Sequence, residues 1–220
     1  MDFIFMLTRD DATIEDCLEV TGAIESLGIK HIGFKDVGVD SESLRKLDRC
    51  IKALGATSYM EVVSTTPEAC LHSARTALDI GVDRLLGGTN VEGMLEIVNG
   101  TVEYYPFPGR PEGHPTKLRG TPEEVAADCR RFLQLGCAGV DLLAYRAVEA
   151  DPLELVRAAR AATDGHLIVA GSVNSRERIR ALAEAGADAF TIGAAVFDGS
   201  FLPRKGHLNS QLNAILAVCR

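Results

Sequence analysis

A single (β/α)8 barrel is the fold this sequence predicts, and three observations predict it. Short β-rich runs alternate with helix-period segments along the chain, the pattern of parallel strands joined by right-handed helical crossovers. The runs begin about 27 residues apart, so eight strand–helix units fill all 220 residues as one domain, 1–220. No linker or low-complexity segment divides the chain. The turn after the first run, "LTRDDAT", also lacks the glycines that open a nucleotide-binding, doubly wound sheet, which is the rival arrangement.

The units read off in order. "FIFMLT" (3–8) precedes a helix over about 12–27, and "KHIGFKD" (30–36) precedes one starting at Ser41. "TSYMEVVS" (57–64) leads to a helix at Thr66-Pro67, and "DRLLGG" (83–88) to a short one from about Val91. "VEYYPF" (102–107) runs into a long loop, then a helix from Thr121-Pro122. "AGVDLLAY" (138–145) precedes a helix at 151–163. "HLIVAGS" (166–172), a charged helix and "ADAFTIGA" (187–194) complete the eight strands. Thr66-Pro67, Thr121-Pro122 and Asp151-Pro152 each place a capping residue before proline at the first helical position. Gly28, Gly55, Gly81, Gly136 and Gly186 end helices just before a strand.

Composition narrows the class of partner. The net charge is −8, and a nucleic-acid binder wants a basic face, so nucleic acid is not expected. An anionic ligand needs a local, oriented site instead. No apolar run approaches the roughly 18–20 residues of a membrane span. Cys17, Cys50, Cys70, Cys129, Cys137 and Cys219 form no C-x-x-C pair and sit in helical patterns, as small buried hydrophobes do. The start, "MDFIFMLTRDD", has no basic region before its apolar run. These features read as a reduced, cytoplasmic protein without a disulfide framework.

Two glycines recur at the same kind of position. Gly171-Ser172 ends the seventh strand and Gly193-Ala194 the eighth. In such a barrel the ligand lies at the C-terminal ends of the strands, and the loops after strands 7 and 8 often hold a phosphate. A phosphate needs backbone N–H groups aimed at it, which a Cβ would obstruct. Gly171, Ser172, Gly193 and Ala194 are therefore the expected phosphate-binding residues, with a helix from Ala194 adding its dipole. The plainer reading is that the glycines only turn the chain.

The stretch "IVAGSVNSRERIRALAEAGADAFTIGAAVF" (168–197) resembles the closing quarter of the ribulose-phosphate-binding barrels. Those TIM barrels include histidine- and tryptophan-pathway isomerases, N-acetylmannosamine-6-phosphate epimerase and thiamine-phosphate synthase. Their pattern is an apolar strand into a double glycine, a helix, G-A-D, and an apolar strand into glycine. Ser172 stands here where the second glycine would be. The resemblance implies the fold and a phosphorylated substrate. It does not imply a particular reaction.

Charged residues inside strands mark the other end of the ligand, because burying a lone charge is expensive. Lys35 and Asp36 close the second strand, and Glu61 lies within the third. Lys35 and Glu61, on neighbouring strands, are the expected catalytic pair. Lys35 would form a Schiff base if desolvation lowers its pKa, or would polarise a carbonyl while Glu61 moves protons. A structural ion pair is the alternative. Schiff-base aldolase barrels usually carry their lysine on the sixth strand, and "GVDLLAYRA" has none. Asp141, the one acid in that strand, is open between facing the helices and serving the site. Arg146 ends it as a clamp for a carboxylate or second phosphate.

Arg9, Asp36 and His114 complete the expected substrate-binding set. His114 belongs to "PFPGRPEGHPTKLRG" (106–120), a loop without apolar periodicity. Its length and local positive charge suggest a lid over an anionic substrate. No histidine spacing suggests a metal site, and no cofactor motif is present. The sequence thus predicts a metal- and cofactor-independent enzyme of carbohydrate metabolism, an isomerase, epimerase or aldolase-like lyase on a small phosphorylated metabolite. The alternative is a non-catalytic regulatory barrel that binds such a metabolite. A homo-oligomer is compatible with either.

Overall fold

Each β-rich run forms a strand in the computed structural model, which describes residues 1–219. The barrel strands are β1 (Asp2–Met6), β2 (His31–Lys35), β3 (Thr57–Val62), β4 (Arg84–Gly87), β5 (Glu103–Tyr105), β6 (Gly139–Leu142), β7 (His166–Val169) and β8 (Ala189–Ile192). The helices are α1 (Cys17–Ala23), α2 (Ser41–Ala53), α3 (Pro67–Ile80), α4 (Val91–Val98), α5 (Pro122–Leu135), α6 (Pro152–Ala162), α7 (Arg176–Ala185), α8 (Ala194–Phe197) and α9 (Leu208–Cys219).

The strands lie in one sheet, in the order β6-β7-β8-β1-β2-β3-β4-β5. Every neighbouring pair is parallel. Two backbone bonds bridge the remaining seam. Ala138 N–H donates to Tyr104 O at 3.1 Å, and Asp141 N–H to Pro106 O at 3.0 Å. The result is a nearly closed eight-stranded barrel ringed by helices, as expected.

Alternate strand residues face opposite sides. Ile4, Met6, Tyr59, Leu86, Tyr105, Ile168 and Ala189 pack inside the barrel. Phe5, Phe34, Met60, Leu142 and Val169 belong to the larger core between strands and helices. The same parity turns Glu61, two residues after Tyr59, to the interior. It also does so for Asp141, whose neighbours Val140 and Leu142 pack against the helices. On α2, Leu44, Leu47 and Ile51 form the buried stripe. Each such side chain contributes about 1.5–3 kcal/mol by leaving water.

Helix caps follow the sequence with one exception. Thr121 and Glu124 form a reciprocal capping box. Asp151 accepts from the N–H groups of Leu153 and Glu154. Thr66 precedes α3 but makes no capping bond. Its hydroxyl lies 3.2 Å from Ser64 Oγ instead.

Two segments differ from the sequence reading. The helix expected over 12–27 begins only at Cys17, followed by a short 3-10 turn at Glu25–Leu27. Before it, Thr8–Arg9 and Ala12–Thr13 pair as a tight antiparallel hairpin. Its turn residues Asp10 and Asp11 both take left-handed backbone angles, φ +50° and +56°. A two-residue turn of that hand matches strand twist, and aspartate tolerates it better than most residues. The 106–120 loop is likewise ordered: Arg110–Glu112 pairs with Lys117–Arg119. Arg110 bonds Glu124, and Arg119 bonds Glu112 and, at 2.8 Å, Glu149. The positive charge expected to meet substrate there is largely spent on holding this hairpin in place.

Candidate active site

The first hairpin carries Asp11 over the end of β2. Thr13 holds it there, its hydroxyl accepting from Lys35 N–H and donating to Lys35 O, both at 2.8 Å. Lys35 Nζ lies 2.7 Å from Asp11 Oδ1 and 3.2 Å from Glu61 Oε1. Lys35 and Glu61 are register partners on β2 and β3. Arg146, on the 3-10 turn Ala144–Arg146 after β6, forks onto the same aspartate. Its Nη2 is 3.0 Å from Oδ1 and its Nη1 3.3 Å from Oδ2.

Burial and neighbouring charges pull Lys35, Asp11 and Asp141 in different directions. Burial draws the Lys35 pKa down, but the charges of Glu61 and Asp11 outweigh it and hold the ammonium above the ordinary value of 10.5. The two carboxylates thus act against the lowering by desolvation that a Schiff base on Lys35 would need. Burial likewise pushes Asp11 up, yet the Arg146 hydrogen bond and the Lys35 charge hold it well below the usual 3.8. Asp141 goes the other way. Burial, then the like charge of Glu61, raise it well above 3.8, while Lys35 and Arg146 oppose the rise. It is fully buried, and neither carboxyl oxygen has a hydrogen-bond partner among the described residues.

Lys35, Glu61, Asp11 and Arg146 line a cavity of about 340 Å³ at the C-terminal ends of the strands. Gly171, Ser172, Val173, Asn174, Gly193 and Ala194 line it too. Among the described residues, the N–H groups of Gly171 to Asn174 donate to no other protein group. Gly171 and Ser172 both have left-handed φ, +78° and +57°. A Cβ on Gly171 would stand 2.5 Å from Arg146 Nε, and one on Gly193 2.5 Å from Thr8 Oγ1. Both glycines thus let neighbouring side chains approach, a packing reason beside any ligand. α8 has four residues, so its dipole at Ala194 is that of a single turn.

Of the residues singled out from sequence, Lys35, Glu61, Arg9, Arg146, Gly171, Ser172, Gly193 and Ala194 all reach this cavity. The Arg9 guanidinium also lies 5.7 Å from the centre of the Phe197 ring. Asp36 and His114 are corrections. Asp36 turns away and accepts from Val63 N–H at 3.1 Å and from the Ser73 hydroxyl, tying β2 to β3 and α3. Consecutive strand residues face opposite ways, so Lys35 and Asp36 cannot both enter. His114 is exposed near the tip of the second hairpin, from which Pro115 is the residue that lines the cavity. Asp11 went unrecognised in the sequence. Its signal was the Asp-Asp pair between threonine-flanked short strands. Among the described residues, no cluster of three or more His, Cys, Asp or Glu is arranged to hold a metal ion. No helix among them is long and apolar enough to cross a membrane.

No family model matches the chain. No curated protein matches it either. Solved structures do share the fold. QR15, an aldolase, superposes with a TM-score of 0.66 at 12% identity, over 99% of this chain and 96% of that one. A Coccidioides immitis protein assigned as a deoxyribose-phosphate aldolase gives 0.65 at 11%, over 92% and 83%. The N-(5'-phosphoribosyl)anthranilate isomerase of Pyrococcus furiosus gives 0.58 at 12%, over 89% of each chain. The chain also spans 64% of a designed cube-shaped cage built from fused symmetric oligomeric domains, with a TM-score of 0.61 at 13% identity. At these identities the likeness establishes the TIM-barrel fold.

Proposed function

We propose that the chain is an enzyme acting on a small phosphorylated, sugar-phosphate-like metabolite, and that it isomerises or epimerises this substrate by proton transfer. The observation that carries the reading is the Lys35 ammonium held between Asp11 at 2.7 Å and Glu61 at 3.2 Å on the wall of the cavity. Titratable groups with perturbed pKa values gathered in a cleft mark a candidate functional site. That favours an enzyme over a regulatory barrel.

Glu61 is the base. It takes a proton from the carbon beside the substrate carbonyl; the C–H bond breaks and an O–H bond forms on the carboxylate. The electron pair moves into a C=C bond, and the former carbonyl oxygen becomes the enediolate oxyanion. Lys35 faces that oxyanion as a fixed cation. Glu61 returns its proton to the former carbonyl carbon while the hydroxyl proton of the neighbouring carbon moves to the oxyanion, which gives the isomer. For the epimer the oxyanion reforms its C=O as water delivers a proton to the opposite face of the first carbon, and Glu61 gives its own proton to the resulting hydroxide. Asp11 orients Lys35 and Arg146. The amides of Gly171 and Ser172, with Gly193 and Ala194, receive the phosphate.

The aldol reading shares this site but needs a neutral amine for its Schiff base, and both carboxylates favour the ammonium. The test is incubation with aldose and ketose phosphates in heavy water, followed by proton NMR. Deuterium at the carbon next to the carbonyl, lost in Glu61→Gln, is the expected result. A borohydride-trapped adduct on Lys35 would instead establish the aldol route. Crystals soaked in sulfate that show no ion at the 171–174 turn would overturn the phosphate assignment.

A further inference from the structure

The mechanism gives no role to Asp141, an acid inside the barrel. It is fully buried, outside the cavity lining, with both carboxyl oxygens unpartnered among the described residues. Its backbone is fixed, since its N–H donates to Pro106 O across the barrel seam at 3.0 Å. The charged groups that act on it are Glu61 from β3, Lys35 from β2 and Arg146 from the turn after β6. Asp11 faces the last two from the hairpin.

We propose that Asp141 is a positioning residue that stays protonated beneath the Lys35–Glu61 pair and, on ionising, draws the Lys35 ammonium away from the cavity. The charges on the page fit this. Lys35 and Arg146 balance Asp11 and Glu61 one for one, so this interlinked cluster keeps its balance only while Asp141 holds its proton. A third carboxylate beside two already paired cations is left without a partner of its own, and a buried uncompensated charge is costly. Arg146 is held by both Nη atoms on Asp11, so the relief within the barrel falls to Lys35, which loosens its bonds to Asp11 and Glu61. Burial of an acid with no hydrogen-bond donor favours the neutral form for the same reason.

The consequence for catalysis rests on Lys35 and Glu61 being the reacting pair, but the device itself is read without substrate. Carboxyl 13C NMR follows Asp141, and the Cε resonance of Lys35 follows the ammonium, both across pH in the intact chain. Asp141 is expected to titrate above the ordinary aspartate range. Its midpoint moves down in Glu61→Gln, which removes a like charge, and up in Lys35→Met, which removes an opposite one. The Lys35 signal inflects together with Asp141, and Asp141→Asn abolishes that inflection. A midpoint in the ordinary range, or a Lys35 curve unchanged in Asp141→Asn, overturns the proposal. If Asp141→Asn does not fold, a midpoint unmoved in both other variants overturns it. Failure of sulfate to bind at 171–174 would sink the phosphate reading and leave this result standing.

Discussion

Asp11 Oδ1 lies 2.7 Å from Lys35 Nζ across 24 residues of chain, and the same carboxylate takes both Nη atoms of Arg146, 135 residues away. One side chain on a two-residue turn therefore sets the position of two cations. Removing it leaves the half-buried Arg146 without its carboxylate and the buried Lys35 with Glu61 alone, so its loss should register in stability and in activity together.

Asp11→Asn is expected to lower the unfolding free energy by about 2 kcal/mol at neutral pH, since it strips the partner from a nearly buried ion pair. Asp11 has a folded pKa depressed below 3.8, so its contribution is present above that value and fades as pH falls toward the folded one. Urea melts of the two proteins should therefore converge below about pH 4. A gap that stays constant down to the acid limit would refute the ion-pair account.

Glu61→Gln should reduce turnover by about 100-fold or more while leaving the fold intact, because general-base catalysis is worth about 10²–10⁴. Lys35→Met should cost a similar factor through lost oxyanion stabilisation. If turnover survives in both, neither residue belongs to the chemistry.

Gly171→Ala would force a Cβ to within 2.5 Å of Arg146 Nε on a backbone with φ +78°. Calorimetric titration with sulfate should show affinity reduced by about tenfold or more, as displaced backbone donors lose charge-assisted bonds worth about 1.5–3 kcal/mol each. Unchanged affinity would mean that this glycine serves packing alone.

Thr121→Ala should cost about 1 kcal/mol by breaking the capping box of α5, lowering Tm by about 2–4 °C. Thr66→Ala should cost less, because Thr66 makes no capping bond. Equal shifts in the two melts would contradict the observed caps.

Much of the architecture was legible along the chain. Turn chemistry is local, so Thr121-Pro122, Asp151-Pro152 and the helix-ending Gly81, Gly136 and Gly186 announced the helix boundaries correctly. Lys35 and Glu61 could be placed side by side because consecutive parallel strands are neighbours. The glycine turns after strands seven and eight followed from counting units.

Facing was not legible. Strands buried on both sides read as continuous apolar runs, so "GVDLL" gives no sign of which way Asp141 points. A shift of one residue exchanges interior for exterior, and that alone separates Lys35 in the cavity from Asp36 against α3. Asp11 was hidden for another reason. Its role depends on a hairpin that returns it across β2, a contact with no periodic trace. The sequence by itself determined the repeated unit, the caps and the end of the barrel that carries the candidate site, because each depends on residues close in the chain. Only the tertiary structure decided which acids meet Lys35, because parity and closure are properties of the assembled barrel.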